Sequence, residues 1–193
     1  MFSALIIICT LITMAYLARK YLLFDGAKFH LTWRAHNKDY LLRTDFSKQL
    51  YYNLLLRHKD KHNIKIFSFC IMNNHVHLVG ECTKKDDVSN YMRIVNSIFS
   101  RTMNKRLKRC GQFIMDRFKS PTIQSYNILF KVMQYVDLNP FRAKIVKHPK
   151  NYRWSSFAYY AYGKSDPLIT PSPSYLSLSN NDFDRQKIWF FRV

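Results

Sequence analysis

The topology of this chain is set by residues 64–80, which read IKIFSFCIMNNHVHLVG. Residues 64–71 are mostly β-branched, aromatic or otherwise apolar, a composition that favours an extended strand. The polar pair Asn73-Asn74 separates them from a second run at 75–80, and asparagine accepts the backbone angles of tight turns. The pattern therefore predicts a hairpin of two antiparallel strands.

Regular spacing of apolar residues extends this pattern upstream and downstream of the hairpin. In chain order it predicts a strand at 29–33, a helix capped by Asp45, the hairpin, a helix from Asp87 or Ser89, a short strand at about 118–123, and a helix at about 127–138 that ends before Asn139-Pro140. This order of strands and helices is that of a ferredoxin-like fold. We therefore expect an α+β protein whose antiparallel sheet carries its helices on one face.

Charge and composition restrict the functions that such a domain can have. The 193 residues include 31 Lys and Arg against 12 Asp and Glu, a formal net charge of +19 that makes a polyanion the first partner to consider. Aromatic residues make up 16%, too many for a disordered basic tail. The absence of GxGxxG and GxxxxGK[ST] motifs argues against a nucleotide phosphate loop. The sequence thus indicates a folded, basic, nucleic-acid-binding protein.

The cysteines form no recognisable metal or disulfide motif. They are Cys9, Cys70, Cys82 and Cys110, and none lies within a few residues of another. This spacing lacks the CxxC pairs of a zinc site and the dense framework of a small secreted domain. A reduced, intracellular chain fits this pattern best.

Residues 2–17, FSALIIICTLITMAYL, form an almost wholly apolar run that Arg19-Lys20 follows. Such a run of about 16 residues falls short of the about 20 that span a bilayer, and it lacks the basic start and the cleavage site of a signal peptide. Met14 offers another start, so we expect residues 1–18 to be a dispensable extension of a cytoplasmic protein without membrane contact. The alternative is a membrane anchor whose basic flank keeps the remaining chain in the cytoplasm.

The rest of the chain divides into a folded domain, residues 19–164, and a C-terminal tail, residues 165–193. The stretch 165–181 is rich in Ser and Pro and indicates a loop. The last residues, 187–193, are aromatic and basic. They could dock on the domain or contact DNA, and the sequence leaves both interpretations open.

His75-Val76-His77 is the most distinctive local motif. Successive side chains of a strand alternate between its faces, so both imidazoles should point the same way while Val76 enters the apolar face. Two imidazoles at this spacing can converge on one metal ion. The alternative is a pair of exposed or core-edge histidines near a turn.

A second motif lies on the last predicted helix. Its buried stripe consists of Leu129, Val132, Met133 and Val136. Tyr135 sits about 100° round from that stripe, and Asn139 follows it by about one turn. The helix thus presents a phenol and an amide together, off its packing face. Taken alone, the same spacing also suits an amphipathic boundary residue and a cap-region residue before Pro140.

Four blocks of this sequence, in order, resemble the REP-associated tyrosine transposases. These are single-tyrosine members of the HUH endonuclease superfamily, of the insertion-sequence transposase type. The blocks are residues 67–78, FSFCIMNNHVHL; residues 116–120, DRFKS; residues 135–143, YVDLNPFRA; and residues 152–156, YRWSS. Residues 29–34, FHLTWR, also resemble the family's first strand. HxH is a weak motif by itself, whereas four blocks in sequence are specific.

The resemblance implies a role for each motif residue. His75 and His77 fall on the histidines that bind a divalent cation, Tyr135 on the nucleophilic tyrosine, and Asn139 on a third metal ligand. Members of this family cleave single-stranded DNA beside a hairpin, form a 5′-phosphotyrosine link and free a 3′-OH. We therefore expect a metal-dependent endonuclease and strand transferase that acts at REP-like hairpins in DNA transposition. Mg²⁺ or Mn²⁺ suits these ligands, and Mn²⁺ tolerates imidazole better.

Basic side chains supply the predicted DNA contacts. They are Arg101, Lys105, Arg106, Lys108, Arg109, Arg117, Lys119 and Arg142. Contacts of this kind with phosphates would make the affinity salt-dependent. The alternative for the cluster at 101–109 is a solvated basic end of a helix.

Two other functions are consistent with the same sequence. A non-catalytic module of this fold could bind DNA or RNA hairpins, in which case binding would ignore divalent metal and form no covalent adduct. A membrane-associated protein defined by residues 2–17 could carry a vestigial DNA site. The sequence does not distinguish a monomer from a homodimer, and it does not identify the target hairpin.

Overall fold

The computed structural model describes residues 23–115 and 118–192. The apolar extension and Arg117 lie outside these residues. The sheet consists of β1 (Lys28–Arg34), β2 (Ile64–Ile71) and β3 (His75–Cys82), all antiparallel, in the order β1-β3-β2. Within the described ranges, no helix combines the length and apolar character that a bilayer crossing requires.

The hairpin β2–β3 confirms the prediction made from residues 64–80. The Met72 N–H donates to the His75 carbonyl at 2.9 Å and closes the turn through Asn73-Asn74. From this turn the two strands pair from Ile71 opposite Val76 to Ile64 opposite Cys82, with one irregularity between Ile66 and Ser68. The central position of β3 in the sheet follows, because β1 pairs with its other edge.

The outer edges of β1 and β2 pair with irregular segments. Thr32 and Lys119 exchange two backbone hydrogen bonds of 2.8 Å, and Phe29 bridges Thr122. The short strand predicted near 118–123 is therefore present only as isolated bridges, since Pro121 between them has no N–H to donate. At the β2 edge, the Ile71 N–H donates to the carbonyl of Trp154 at 2.9 Å.

The described residues also contain six α-helices. They are α1 (Asp45–Lys59), α2 (Asp87–Arg106), α3 (Tyr126–Arg142), α4 (Phe157–Tyr162), α5 (Pro173–Leu176) and α6 (Asp182–Arg192). The cap of α1 is Thr44, whose hydroxyl accepts the Ser47 N–H at 3.2 Å, and not Asp45 as expected. Asp45 is the first helical residue, where its charge favours the helix dipole and its carboxylate accepts the Trp154 indole N–H.

The helices cover both faces of the sheet. On the core face, Trp33 donates its indole N–H to the Tyr51 hydroxyl of α1 at 2.6 Å and packs against Phe99 of α2. On the opposite face, α3 packs against β2 and β3. The fold is thus α+β with a ferredoxin-like order of elements, as predicted. The expectation that all helices lie on one face is wrong, because α1 and α2 share the core face whereas α3 packs on the other.

Helix α3 is longer than the sequence suggested. It continues through Pro140 to Arg142, whereas the proline was expected to end it after Leu138. Pro140 removes one N–H donor, but in the last helical turn this costs a single intrahelical hydrogen bond. Asn139 therefore remains helical, one turn beyond Tyr135.

The residues after 165 differ from the predicted loop or tail, because α5 and α6 pack on the domain. Ser172 caps α5 by accepting the Tyr175 N–H at 3.1 Å. Part of the Ser/Pro-rich composition therefore serves to begin a helix. In α6 the indole of Trp189 is fully buried. It stacks on Tyr160 with centroids 4.6 Å apart and meets Phe130 of α3 edge-on at 5.3 Å. Residues 187–193 were expected either to dock on the domain or to contact DNA, and Trp189 docks on the domain.

We expect Trp189→Ala to lower the free energy of unfolding by about 3–5 kcal/mol, because it leaves a large cavity among aromatic rings. The measurement is urea denaturation followed by circular dichroism. Phe183→Ala is the matched control, since Phe183 is an aromatic residue of the same helix that is 61% exposed. That change should stay within about 0.5 kcal/mol of wild type. Equal stability of the two variants would contradict the docking of α6.

Candidate active site

The two histidines of the HxH motif lie side by side on one face of β3. The centroids of the His75 and His77 rings are 4.9 Å apart, and the ring planes meet at 82°. Val76 between them is fully buried on the core face. This is the arrangement that strand alternation predicts.

These histidines border a cleft of about 420 Å³ between the sheet and α3. Its walls are formed by Thr32, Trp33, Arg34, His75, His77, Met115, Lys119, Tyr135 and Asn139. The structure thus brings together, within one chain, all four residues predicted as nucleophile and metal ligands. They come from two elements that are about 60 residues apart in sequence, so the fold assembles them.

Hydrogen bonds orient both imidazoles. His75 Nδ1 lies 2.7 Å from Asn74 Oδ1, and an amide oxygen only accepts, so Nδ1 carries the proton. His75 Nε2 consequently keeps its lone pair. His77 Nδ1 lies 3.0 Å from Nε2 of a third histidine, His30, on β1. Bonds of this kind are how proteins fix the orientation of metal-binding histidines.

All three imidazoles are neutral at neutral pH. Burial lowers the pKa of His30 to about 4. Burial, and then the Arg34 charge, lowers the pKa of His75 to about 4. The pKa of His77 lies well below 6.5 because of burial first and then His30, His75 and Arg34. Neutral imidazole is the form that binds a metal ion.

Tyr135 faces these rings from α3. Its ring centroid is 6.0 Å from that of His77 and 6.2 Å from that of His30, edge-on in both cases. The Arg142 guanidinium lies over the Tyr135 ring, 5.3 Å from its centroid, as a cation–π contact. The tyrosine is half-buried, with its ring held between imidazoles and a cation.

A buried polar contact fixes α3 against the sheet. The Ser156 hydroxyl donates to Asp137 Oδ1 at 2.5 Å, and the Ser156 Oγ accepts the Phe69 N–H of β2 at 3.2 Å. Burial raises the pKa of Asp137 well above its usual range, with the hydrogen bond from Ser156 opposing this rise. Because Asp137 lies between Tyr135 and Asn139, this contact sets the position of both.

The donor set in the cleft fits a divalent cation. The Asn139 amide nitrogen donates to the Tyr135 carbonyl at 2.9 Å, which leaves its amide oxygen as the atom for a ligand. Two neutral imidazoles and one amide oxygen suit Mn²⁺ or Mg²⁺. Across residues 23–115 and 118–192, no three His, Cys, Asp or Glu side chains form a metal cluster.

The predicted DNA-binding residues separate into two groups. Lys119 lines the cleft, and Arg142 covers Tyr135. The remaining described ones, Arg101, Lys105, Arg106, Lys108 and Arg109, lie at the end of α2 or just beyond it, and α2 packs on the opposite face of the sheet. The Arg106 guanidinium there stacks on Phe46, 4.1 Å from the ring centroid.

Sequence reasoning missed three residues of β1. Thr32 and Arg34 line the cleft, and His30 is bonded to His77. Their spacing of two, with the apolar Phe29, Leu31 and Trp33 at the alternate positions of the strand, was the available signal. Using it required the register that pairs Thr32 with His77 and Arg34 with His75, which places these side chains on the same face.

The fold is that of a solved REP-associated tyrosine transposase. That structure, determined with a REP hairpin bound, gives a TM-score of 0.63 at 17% identity, over 77% of this chain and 88% of that chain. A candidate transposase from Deinococcus radiodurans R1 gives a TM-score of 0.43 at 15% identity, over 67% and 92% of the two chains.

The sequence places the chain in a family. Residues 24–139 match the family described as IS200-like transposase. The chain therefore belongs to the IS200-like transposases, a family of DNA transposition enzymes. The family resemblance found in the four sequence blocks is thus confirmed. A comparison with curated proteins gives no match.

Acid should destabilise the metal-free protein through these imidazoles. The folded-state pKa of His75 is lowered from 6.5 to about 4, so the unfolded chain binds more protons and stability falls as the pH drops through this window. From about pH 7 to about pH 5, wild type should lose on the order of 1 kcal/mol more than His75→Asn. Urea denaturation with a chelator present measures this, and equal losses would contradict a neutral, partly buried His75.

Proposed function

We propose that this transposase is a metal-dependent single-stranded DNA endonuclease and strand transferase that acts at hairpins through Tyr135. The observation that carries the proposal is the shared cleft, in which Tyr135 from α3 faces His75 and His77 from β3. All of these side chains come from one chain. The arrangement thus supports a site that one protomer completes, and a homodimer would serve to bring two DNA ends together.

The reaction follows from the chemistry of the phenol. The Tyr135 oxygen attacks a backbone phosphorus, and the bond from phosphorus to the 3′ oxygen breaks. The phenol loses its proton, the departing 3′ oxygen gains one, and the 5′ end remains linked to Tyr135 as a phosphotyrosine. Attack on this link by the 3′-OH of another strand restores a phosphodiester and the free phenol. The energy of the original bond is conserved for rejoining.

His75, His77 and Asn139 would hold a divalent cation, Mg²⁺ or Mn²⁺. Bound there, such an ion polarises the phosphate oxygens and offsets the charge that develops on them. The chain prepares these ligands by keeping both imidazoles neutral and by fixing the His75 ring through Asn74. Neutral ligands leave the full charge of the ion available to the phosphate.

Single-stranded DNA with a hairpin is the proposed partner. The solved relative of the same fold was determined bound to a REP hairpin, and the net charge of +19 favours a polyanion. Arg34 and Lys119 in the cleft, with Arg142 beside Tyr135, would contact the phosphates next to the cleaved bond. The basic end of α2 would contact a more distant part of the DNA.

Tyr135→Phe should abolish the covalent protein–DNA adduct and change hairpin affinity by less than about threefold, because it removes only the attacking oxygen. Labelled hairpins, including those flanking its own gene, are incubated with Mn²⁺ or Mg²⁺ and run on a denaturing gel. Tyr126→Phe is the matched control, since Tyr126 is an exposed tyrosine of the same helix, and its adduct should persist. An adduct in Tyr135→Phe would refute the nucleophile. Tight hairpin binding without an adduct in wild type would favour the non-catalytic binding protein.

Replacing both histidines, His75→Ala with His77→Ala, should reduce metal-dependent cleavage to background, because one amide ligand alone does not hold the ion. Cleavage is followed on the same labelled hairpins over a titration of Mn²⁺. His58→Ala is the control for loss of an imidazole, since His58 lies at the end of α1. Unchanged cleavage by the double variant would remove the metal ion from the mechanism.

A further inference from the structure

His30 contacts His77, one of the proposed metal ligands, on its Nδ1 side. Its Nε2 is 3.0 Å from His77 Nδ1, and the two rings are nearly parallel, with an interplanar angle of 18° and centroids 5.3 Å apart. In the register of β1 and β3, Thr32 pairs with His77 and His30 pairs with Val79. His30 is thus the diagonal neighbour of His77 on the same face of the sheet.

The bond between the two rings has two possible directions, with different consequences. A single proton lies between His30 Nε2 and His77 Nδ1, so one nitrogen donates and the other accepts. If His77 Nδ1 donates, the neutral His77 ring keeps a lone pair on Nε2. If His30 donates, the His77 proton lies on Nε2, and that nitrogen is no longer a metal ligand.

We infer that His30 is a positioning residue that accepts the proton of His77 Nδ1 and thereby holds His77 Nε2 ready to bind the cation. This inference rests on the proposed function and deepens it. It gives His77 the same support that His75 has, because the oxygen of Asn74 can only accept from His75 Nδ1. Each of the two histidine ligands then has its own acceptor, one from the turn and one from β1.

The contact also reaches the nucleophile. The Tyr135 ring lies edge-on to both His30 and His77, at 6.2 and 6.0 Å between centroids. His30 therefore forms, together with His77, the surface that the Tyr135 ring packs against, in addition to orienting His77. His30 is not among the residues that line the cleft. A residue that acts on the cation only through His77 is expected to lie outside the cleft.

Two substitutions separate acceptance of this proton from simple packing. His30→Gln places an amide oxygen at about the reach of Nε2 and can still accept, whereas His30→Leu fills space without an acceptor. Mn²⁺ affinity is measured by titration of the full chain without DNA. We expect His30→Leu to bind Mn²⁺ about 10–100-fold more weakly than wild type and His30→Gln to stay within about threefold. Equal affinity of His30→Leu and wild type would overturn the inference.

A spectroscopic measurement on the wild type does not depend on the variants folding. Nitrogen-15 NMR of the metal-free protein reports which nitrogen of His77 carries the proton. A proton on Nδ1 is expected, and a proton on Nε2 would overturn the inference.

The same titration distinguishes this inference from the proposed function. Wild type that binds no Mn²⁺ would refute the metal site and the role of His30 with it. Wild type that binds Mn²⁺ and forms the Tyr135 adduct, beside a His30→Leu variant of equal affinity, would refute the role of His30 alone.

Discussion

The register between β1 and β3 is the constraint on which the cleft depends. It pairs Thr32 with His77 and Arg34 with His75, so that the polar side chains of both strands project from the same face. A slip of β1 by one residue would turn Thr32 and Arg34 toward the core and Trp33 away from it. Trp33, bonded to Tyr51 on the core face, opposes such a slip, because it would have to leave a fully packed position.

The second requirement is a rigid mount for the nucleophile. A helix that packed on the sheet through apolar contacts alone could shift along it at little cost. The Asp137 contact with Ser156, which also binds the β2 backbone, gives α3 a fixed position on the strand edge. Burying a carboxylate is costly unless it is hydrogen-bonded or protonated, and the hydrogen bond from Ser156 offsets part of this cost for Asp137.

Features that depend on neighbouring residues could be predicted from the sequence, whereas features that depend on contacts between distant parts of the chain could not. The shared face of His75 and His77 follows from the period of one strand, and the one-turn step from Tyr135 to Asn139 follows from the period of one helix, so both placements could be predicted from local sequence. The pairing of His30 with His77 spans 47 residues and needs a register that no local pattern supplies. Local signals also misled: Pro140 predicted a helix end, and the Ser/Pro-rich composition of 165–181 predicted a loop where α5 packs on the domain.

The burial of Trp189 has a consequence for how the protein is made. Its indole packs against Phe130, which belongs to the same helix as Tyr135. On the ribosome, α3 emerges well before α6, so a growing chain contains the tyrosine while one side of its helix is still uncovered. The helix that bears the tyrosine is fully packed only after Trp189 has been synthesised. An unfinished polypeptide would hold its tyrosine on a helix that lacks part of its support.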